Sequence, residues 1–476
     1  MNRSSTRRPH VCLSLLTTFA ACGASPTPSP APADLVIPPR FTAVAEAAVA
    51  ELRPDWWQDF ADPELDRFVA RCLEHNRDVQ AAFARLQAAT ATRTIQGADS
   101  WPQVDAALDA QRSQRLFLGF PFGSGGVPSS TTTTFGLSLS VRWELDVWGR
   151  IAARESAAIA DTEVAQANVA GAQLSLAGQA CRAWFAVAEA AAQRTLAAAT
   201  VDAFRATADD VRDRYRRGVR PALDVHLAAT NVASAEATLA QREETLQRAR
   251  RRLDVLAGRY PDANQTPAVF PRTLPPIPAA LPGELLQRRP DLVAAERRLA
   301  AAGCRVDAAR ASLYPRLSLT GSGGTTSEEL EDLVDEDFRI WSIGANLLAP
   351  LFRAGALRAE VRRNEALVAE AAATYGGAVL AAFAEVEDVL ASDALLAARF
   401  AGLTRAAEHA SAAHDLARSR YQGGLVDFLT VADTQRQSFL AAAAQLAAER
   451  QRLENRVDLF LALGGGYRSP DTGAKP

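Results

Sequence analysis

The sequence predicts a mainly α-helical fold that carries a small set of membrane-type β-strands. Three observations predict it. Two stretches of more than sixty residues, Ile151–Arg217 and Leu357–Gln422, contain no proline and are rich in Ala, Leu, Arg, Glu and Gln, which are good helix formers. Shorter segments alternate apolar and polar residues with period two, the pattern of strands with one apolar face. The chain also repeats itself: Tyr215-Arg216-Arg217-Gly218 matches Tyr421-Gln422-Gly423-Gly424 at an offset of 206, and Gly258/Gly464 and Gly149/Gly355 fall at the same offset.

With 476 residues, 48% hydrophobic and 22% charged, the chain has a globular balance. A net charge of −3 without a Lys/Arg stripe gives no footprint for nucleic acid. No run of 18 consecutive apolar residues exists, so the sequence predicts no membrane-spanning helix. It leaves a membrane β-barrel open, because the signal per strand is weaker.

Residues 1–21 read as an export signal. Arg3, Arg7 and Arg8 form a basic head without an acid, and Val11–Ala21 is a short apolar middle. Cys22 directly follows Ala20-Ala21, which resembles a bacterial lipobox, although Phe19 stands where leucine is usual. Residues 22–40 are then a lipidated cysteine and a Pro-rich tether. Cys72, Cys181 and Cys304 remain, without zinc-like or disulfide spacing, and are expected as buried small side chains.

The duplication organises the rest. Residues 41–260 form a first repeat, 261–290 a Pro-rich strap, 291–464 a second repeat and 465–476 a tail. Upstream, Asp78/Asp291 and Trp101-Pro102/Tyr314-Pro315 are 213 apart. Each half reads as short helix, two strands, very long helix, turn and long helix. The partner helices are Ala222–Ala257 and Phe428–Leu463. Gly218-Val219-Arg220-Pro221 breaks the first pair and Gly423-Gly424-Leu425-Val426-Asp427 the second, since glycine ends helices and proline is tolerated at their starts. Alanine permits close, coiled-coil-like packing, without a strict leucine heptad.

The strands are expected at Pro102–Gln111, Phe135–Leu145, Pro315–Gly321 and Phe338–Leu348. Gly119–Thr134 and Ser322–Asp337, the latter with seven acids, are expected as connections. Four strands cannot close around a lumen and would leave edges exposed. Apolar-out, polar-in strands suit an outer-membrane barrel completed by other subunits; a soluble four-stranded sheet is the other reading.

These residues resemble the outer membrane factors, the TolC-like efflux channels, in their lipoprotein branch. The resemblance rests on Arg289-Pro290-Asp291 with Ala295-Glu296, Ala308–Pro315, Trp143–Arg150 and Leu429–Arg436, and spans nearly the whole chain after residue 21. It implies a homotrimer in which four strands per protomer build one 12-stranded barrel and twelve helices form a periplasmic tunnel. It implies a periplasmic adaptor, an inner-membrane pump of the resistance-nodulation-division (RND) type, outer-membrane lipid around the barrel, and no cofactor or metal. By motif match it carries an aperture gate onto Asp433 and Leu429. Asp224 lies near the matching turn, and Thr430 stands where some relatives carry a further acid. It carries adaptor-docking tips onto Gly218, Val219, Gly424 and Leu425.

Other classes fit less well. The four histidines beyond residue 21, His75, His226, His409 and His414, form no ligand spacing, and no HExxH, GxSxG or phosphate loop is convincing. That argues against an enzyme. A coiled-coil structural or surface lipoprotein would explain the helices but not the hairpins. A type I protein-secretion channel would share the fold. The only methionine is Met1, which excludes methionine-based copper handling in the channel.

Overall fold

The computed structural model describes residues 41, 52–117, 128–264, 270–271, 273–277 and 282–467. The export signal, Cys22 and the tether lie outside the described residues, as does the tail beyond Tyr467.

The chain opens with α1 (Pro63–His75) and α2 (Arg77–Ala98). Asp62 caps α1 by accepting from the Glu64 and Leu65 amides at 3.0 and 3.3 Å, with Pro63 in the first turn. Asn76 separates the helices. Its amide donates to Cys72, closing α1, while its Oδ1 accepts from Asp78 N at 2.9 Å, opening α2. The first half thus begins with two helices where the sequence predicts one.

Then follow β1 (Gln103–Leu116), β2 (Ser129–Leu145), α3 (Arg150–Arg216) and α4 (Ala222–Leu256). The second half repeats the order: α5 (Leu285–Arg288), α6 (Pro290–Ala311), β3 (Arg316–Ser327), β4 (Arg339–Leu348), α7 (Ala356–Gln422) and α8 (Phe428–Ala462).

The described residues divide into two compact units that cut across the repeats. One takes Thr92–Ala160 and Ala301–Ala366. It is built on one antiparallel sheet, ordered β1-β2-β3-β4. Three strands run further than expected. β1 continues to Leu116, β2 starts at Ser129 and β3 ends at Ser327. Thr131–Thr134 are β-branched and extend β2 into the expected connection. Gly324 lets β3 approach β2, since a Cβ there would strike the Leu137 carbonyl.

The register gives the sheet two distinct faces. Val104, Val141, Gly321 and Ile343 share one cross-strand row, and Ala106, Leu139, Gly323 and Trp341 the next. This face is apolar from the Leu145–Leu317–Leu347 row to the Ala106–Leu139–Gly323–Trp341 row and is exposed on β1 and β4; the next row joins Leu108 and Leu137 to Thr325 and Arg339. The alternate rows, such as Asp105–Ser140–Ser322–Ser342, are polar. Trp148 stacks on Tyr314 at 4.9 Å and donates to Pro315 O at 2.8 Å, holding the end of β2 beside the start of β3.

The second unit takes the described residues of Pro28–Ala91, Asp161–Ala300 and Leu367–Pro476. Its main core gathers Trp56, Phe60, Phe68, Trp184, Phe185 and Phe460, with Trp56 stacked on Phe460 at 5.0 Å. Cys72 and Cys181 lie in it, and burial pushes the Cys72 thiol up to about 12. Cys304 is only half-buried, against the expectation.

α3 packs against α4 through Arg194–Glu243 and Arg205–Glu236, and against α8 through Arg182–Asp458 and Glu189–Arg450. A Cβ at Gly178 would stand 2.6 Å from Leu461, so α3 and α8 meet closely. α3 is buried along its length, from Ile151 to Val211. α7, equally long, buries mainly one stripe through Tyr375, Val379, Ala382, Val386 and Leu390. By length and composition α7 could cross a membrane, contrary to the expectation of no such helix. Alanines rather than a run of large apolar residues raise its hydropathy, and only 17% of that stretch is buried.

Candidate aperture and docking tips

Both long helix pairs turn in the same way, as the duplication requires. Gly218 N donates to Tyr215 O at 2.8 Å and Val219 N to Arg214 O at 2.9 Å. Gly424 N donates to Tyr421 O and Leu425 N to Arg420 O, each at 3.0 Å. This is the Schellman pattern, with glycine at the left-handed position: φ is 74° at Gly218 and 77° at Gly424. The turns leave Val219 64% and Leu425 78% exposed.

The helix starts differ. α4 begins after Pro221, which offers no side-chain cap. α8 is capped by Asp427, whose Oδ1 accepts from Thr430 N at 2.8 Å and Thr430 Oγ1 at 2.6 Å. Those bonds hold the Asp427 carboxyl below the usual carboxylate range. Asp427 was not picked out from sequence, although Asp-x-x-Thr before an apolar run is a capping signal.

Asp433 lies in the second turn of α8, half-buried. Its carboxylate accepts from Arg436 at 2.6 Å and from Gln437 Nε2 at 2.7 Å. Leu429, one turn earlier, is exposed, as is its 206-offset counterpart Leu223. Asp224 occupies the first turn of α4, and its amide donates to Pro221 O at 3.2 Å. It aligns with Thr430, whereas Asp433 aligns with Leu227. The two carboxylates therefore sit at different levels in the two repeats, and no hydrogen bond or ion pair joins them among the described residues.

A cluster that the sequence reading did not identify holds the two turns together. Tyr421 is buried with its ring between two guanidinium groups, Arg214 at 4.6 Å and Arg220 at 4.9 Å from its centroid. Arg220 also donates to Val426 O at 3.5 Å, and Arg214 is paired with Asp210 at 3.2 Å. Phe428, Val431, Ala208 and Val211 complete the apolar packing. Burial raises the Tyr421 pKa, opposed by both arginines and reinforced by Asp210 and Asp224. Tyr421 was visible only as a repeat marker; its two cations come from the other repeat, across a fold that sequence spacing does not reveal.

Among the described residues, no group of three or more His, Cys, Asp or Glu could hold a metal ion. What the tips offer is two exposed apolar knobs and carboxylates near the starts of the returning helices, in the first turn of α4 and the second of α8.

The sequence profile of the outer membrane efflux proteins matches residues 69–259 and 281–465, most of the chain. This chain belongs to the outer membrane efflux protein family. The pyoverdine export outer membrane protein OpmQ of Pseudomonas aeruginosa is 33% identical over 466 residues, covering 97% of each chain. The outer membrane protein OprJ of the same organism is 34% identical over 463 residues, covering 96% of this chain and 95% of its own. The solved outer-membrane channel OprN superposes with a TM-score of 0.85 at 31% identity, over 94% of this chain and 99% of that one. The efflux protein is thus an outer-membrane exit duct of the TolC-like fold, with a helical tunnel and a barrel. Its family works in transport rather than catalysis, as the outer-membrane part of tripartite pumps.

Proposed function

We propose that three copies of this chain form the passive outer-membrane duct of an RND-type efflux system, lipidated at Cys22, which passes small molecules delivered by a periplasmic adaptor and an inner-membrane pump. The supporting observation is the four-stranded sheet with an apolar face from the Leu145–Leu317–Leu347 row to the Leu139–Gly323–Trp341 row and two unpaired edges. Phe135–Leu145 spans roughly 34 Å along the strand, which the usual tilt reduces to about the 25 Å apolar band of an outer-membrane barrel. Strands of three copies would close that barrel and remove the edges.

In this reading Asp433, Leu429 and Asp224 ring the periplasmic aperture, and Gly218-Val219 and Gly424-Leu425 are the docking tips. The exposure of Leu425 and Val219, held on rigid Schellman turns, supports docking. The aperture is supported by an exposed leucine and by two acids near the helix starts, Asp224 in the first turn of α4 and Asp433 in the second turn of α8. Threefold symmetry would multiply each carboxylate, and rings of acids favour cations.

Conductance of the purified protein in planar lipid bilayers tests the duct. Discrete channels are expected. Absence of channels despite confirmed insertion would overturn it and favour a structural lipoprotein.

A further inference from the structure

The cysteines beyond residue 22 show no framework spacing along the chain, yet the fold brings two of them together. Cys72 ends the core-facing stripe of α1, which runs Leu65, Phe68, Val69, Cys72 at helical spacing. Cys181 lies on α3, where its buried neighbours Ala177 and Ala180 are small and let another helix come close. Both cysteines are fully buried in the same core.

The register of α1 on α3 sets them opposite each other. Phe60, just before α1, meets Phe185 at 5.1 Å, and Asp62 accepts from Trp184 Nε1 at 3.0 Å. Phe68 stacks on Trp184 at 5.3 Å. One turn further along α1 is Cys72, and one turn back along α3 from Trp184 is Cys181. Burial raises the Cys181 pKa; Cys72 and Asp66 of α1 add to the rise and Arg182 opposes it. Cys181 therefore lies within electrostatic reach of the later turns of α1, as an antiparallel register requires. Cys304, on α6, belongs to the other compact unit.

The structure shows this pair as thiols. An outer-membrane duct crosses the periplasm, an oxidising compartment, before its fold is complete. Once α1 is packed, the thiols are shielded and burial holds them protonated, so they exchange poorly. Reaction belongs to the stage at which α1 is docking on α3. The oxidant is a protein disulfide of that compartment. One cysteine loses its proton and its sulfur attacks the carrier's disulfide, releasing one carrier thiolate. The other cysteine loses its proton, and its sulfur attacks the mixed disulfide. The Cys72 Sγ–Cys181 Sγ bond forms, two protons and two electrons have left the chain, and the carrier departs as a dithiol.

We infer that Cys72 and Cys181 close a disulfide between α1 and α3 as the chain folds in the periplasm. The bond encloses about 110 residues, β1 and β2 among them, and so constrains the unfolded chain more than a local bridge would. It fastens the short α1 to the long α3 whatever β1 and β2 are doing. After packing, the burial that kept the thiols inert shields the bond from reductants.

The test uses the full chain taken from outer membranes after an acid quench, denatured, and alkylated before or after reduction. Cys72 and Cys181 should be alkylated only after reduction. An unreduced tryptic digest should contain segment 72–77 joined to segment 155–182. Cys72→Ala should leave Cys181 open to alkylation without reduction. Reductant should lower the unfolding temperature of the wild type, while Cys72→Ala with Cys181→Ala should begin at the lower temperature and ignore reductant. Alkylation of both cysteines in the wild type before reduction would overturn the bond. So would a bridge from either cysteine to Cys304 or to a second chain. The wild-type measurement decides this even if a variant fails to fold, and none of these readouts depends on conductance, so the duct is tested separately.

Discussion

Arg436 holds Asp433 at 2.6 Å across a single turn of α8. The acid proposed for the aperture therefore carries its own counter-charge, an i,i+3 partner visible in the sequence. Replacing Asp433 by alanine removes the acid and strands the guanidinium. Channels of Asp433→Ala should conduct more in the resting state and shift their preference from cations toward anions. Asp433→Ala with Arg436→Ala should keep the larger conductance and lose most of the shift. Reversal potentials in a salt gradient would decide it; unchanged conductance in both variants moves the gate to Leu429 or Asp224.

Tyr421 separates ring from hydroxyl. Its ring is buried between two cations, while its hydroxyl is buried without a hydrogen-bond partner. Tyr421→Phe keeps the ring and should be neutral or slightly stabilising. Tyr421→Ala leaves a cavity and should cost about 3 kcal/mol or more locally. Hydrogen exchange at the end of α7 should separate them; equal protection in both variants would refute the packing argument.

The tip glycines are not equivalent. Gly424 has φ of 77°, whereas Gly423 makes only ordinary contacts and has no positive φ. Gly424→Ala should cost roughly 1 kcal/mol and Gly423→Ala much less. Leu425→Asp, which leaves the turn backbone alone, should abolish capture by the cognate adaptor without altering conductance. Undiminished capture would remove Leu425 from the docking surface.

His414 supplies a pH dependence. Burial, joined by Arg418 and opposed by Asp415, lowers its pKa, and its Nδ1 is buried without a partner. A depressed histidine pKa means that the fold prefers the neutral ring. Its stabilising contribution is complete above the unfolded value of about 6.5 and is lost as pH falls through the folded value. Exchange protection of the surrounding α7 turns should fall between pH 7.5 and 5.5, and His414→Gln should flatten the change. A slope unaltered by the substitution would assign it to another group.

The helix pairs were legible because local chemistry defines them: proline-free, alanine-rich stretches ending at Gly218, Gly258, Gly424 and Gly464. The strands were legible where residues alternate and not where Thr131–Thr134 or the glycines of β3 extend pairing set by a neighbouring strand. The break at Asn76 was missed because it interrupts an otherwise continuous helical composition. At the tips, the turns were readable from their glycines. The Tyr421 clamp was not, since Arg214 and Arg220 reach it across some two hundred residues.

The outer edges of β1 and β4 carry a consequence for how this protein reaches its membrane. Each is an edge strand of the sheet, so roughly half of its backbone amides and carbonyls lack a strand partner. In water that is tolerable, but in hydrocarbon each unmet group costs several kcal/mol. A lone chain thus has a lipid-compatible surface that it cannot present to lipid. In the proposed trimer, insertion and subunit association would then be one concerted event, with a rate that depends steeply on the concentration of chains waiting in the periplasm.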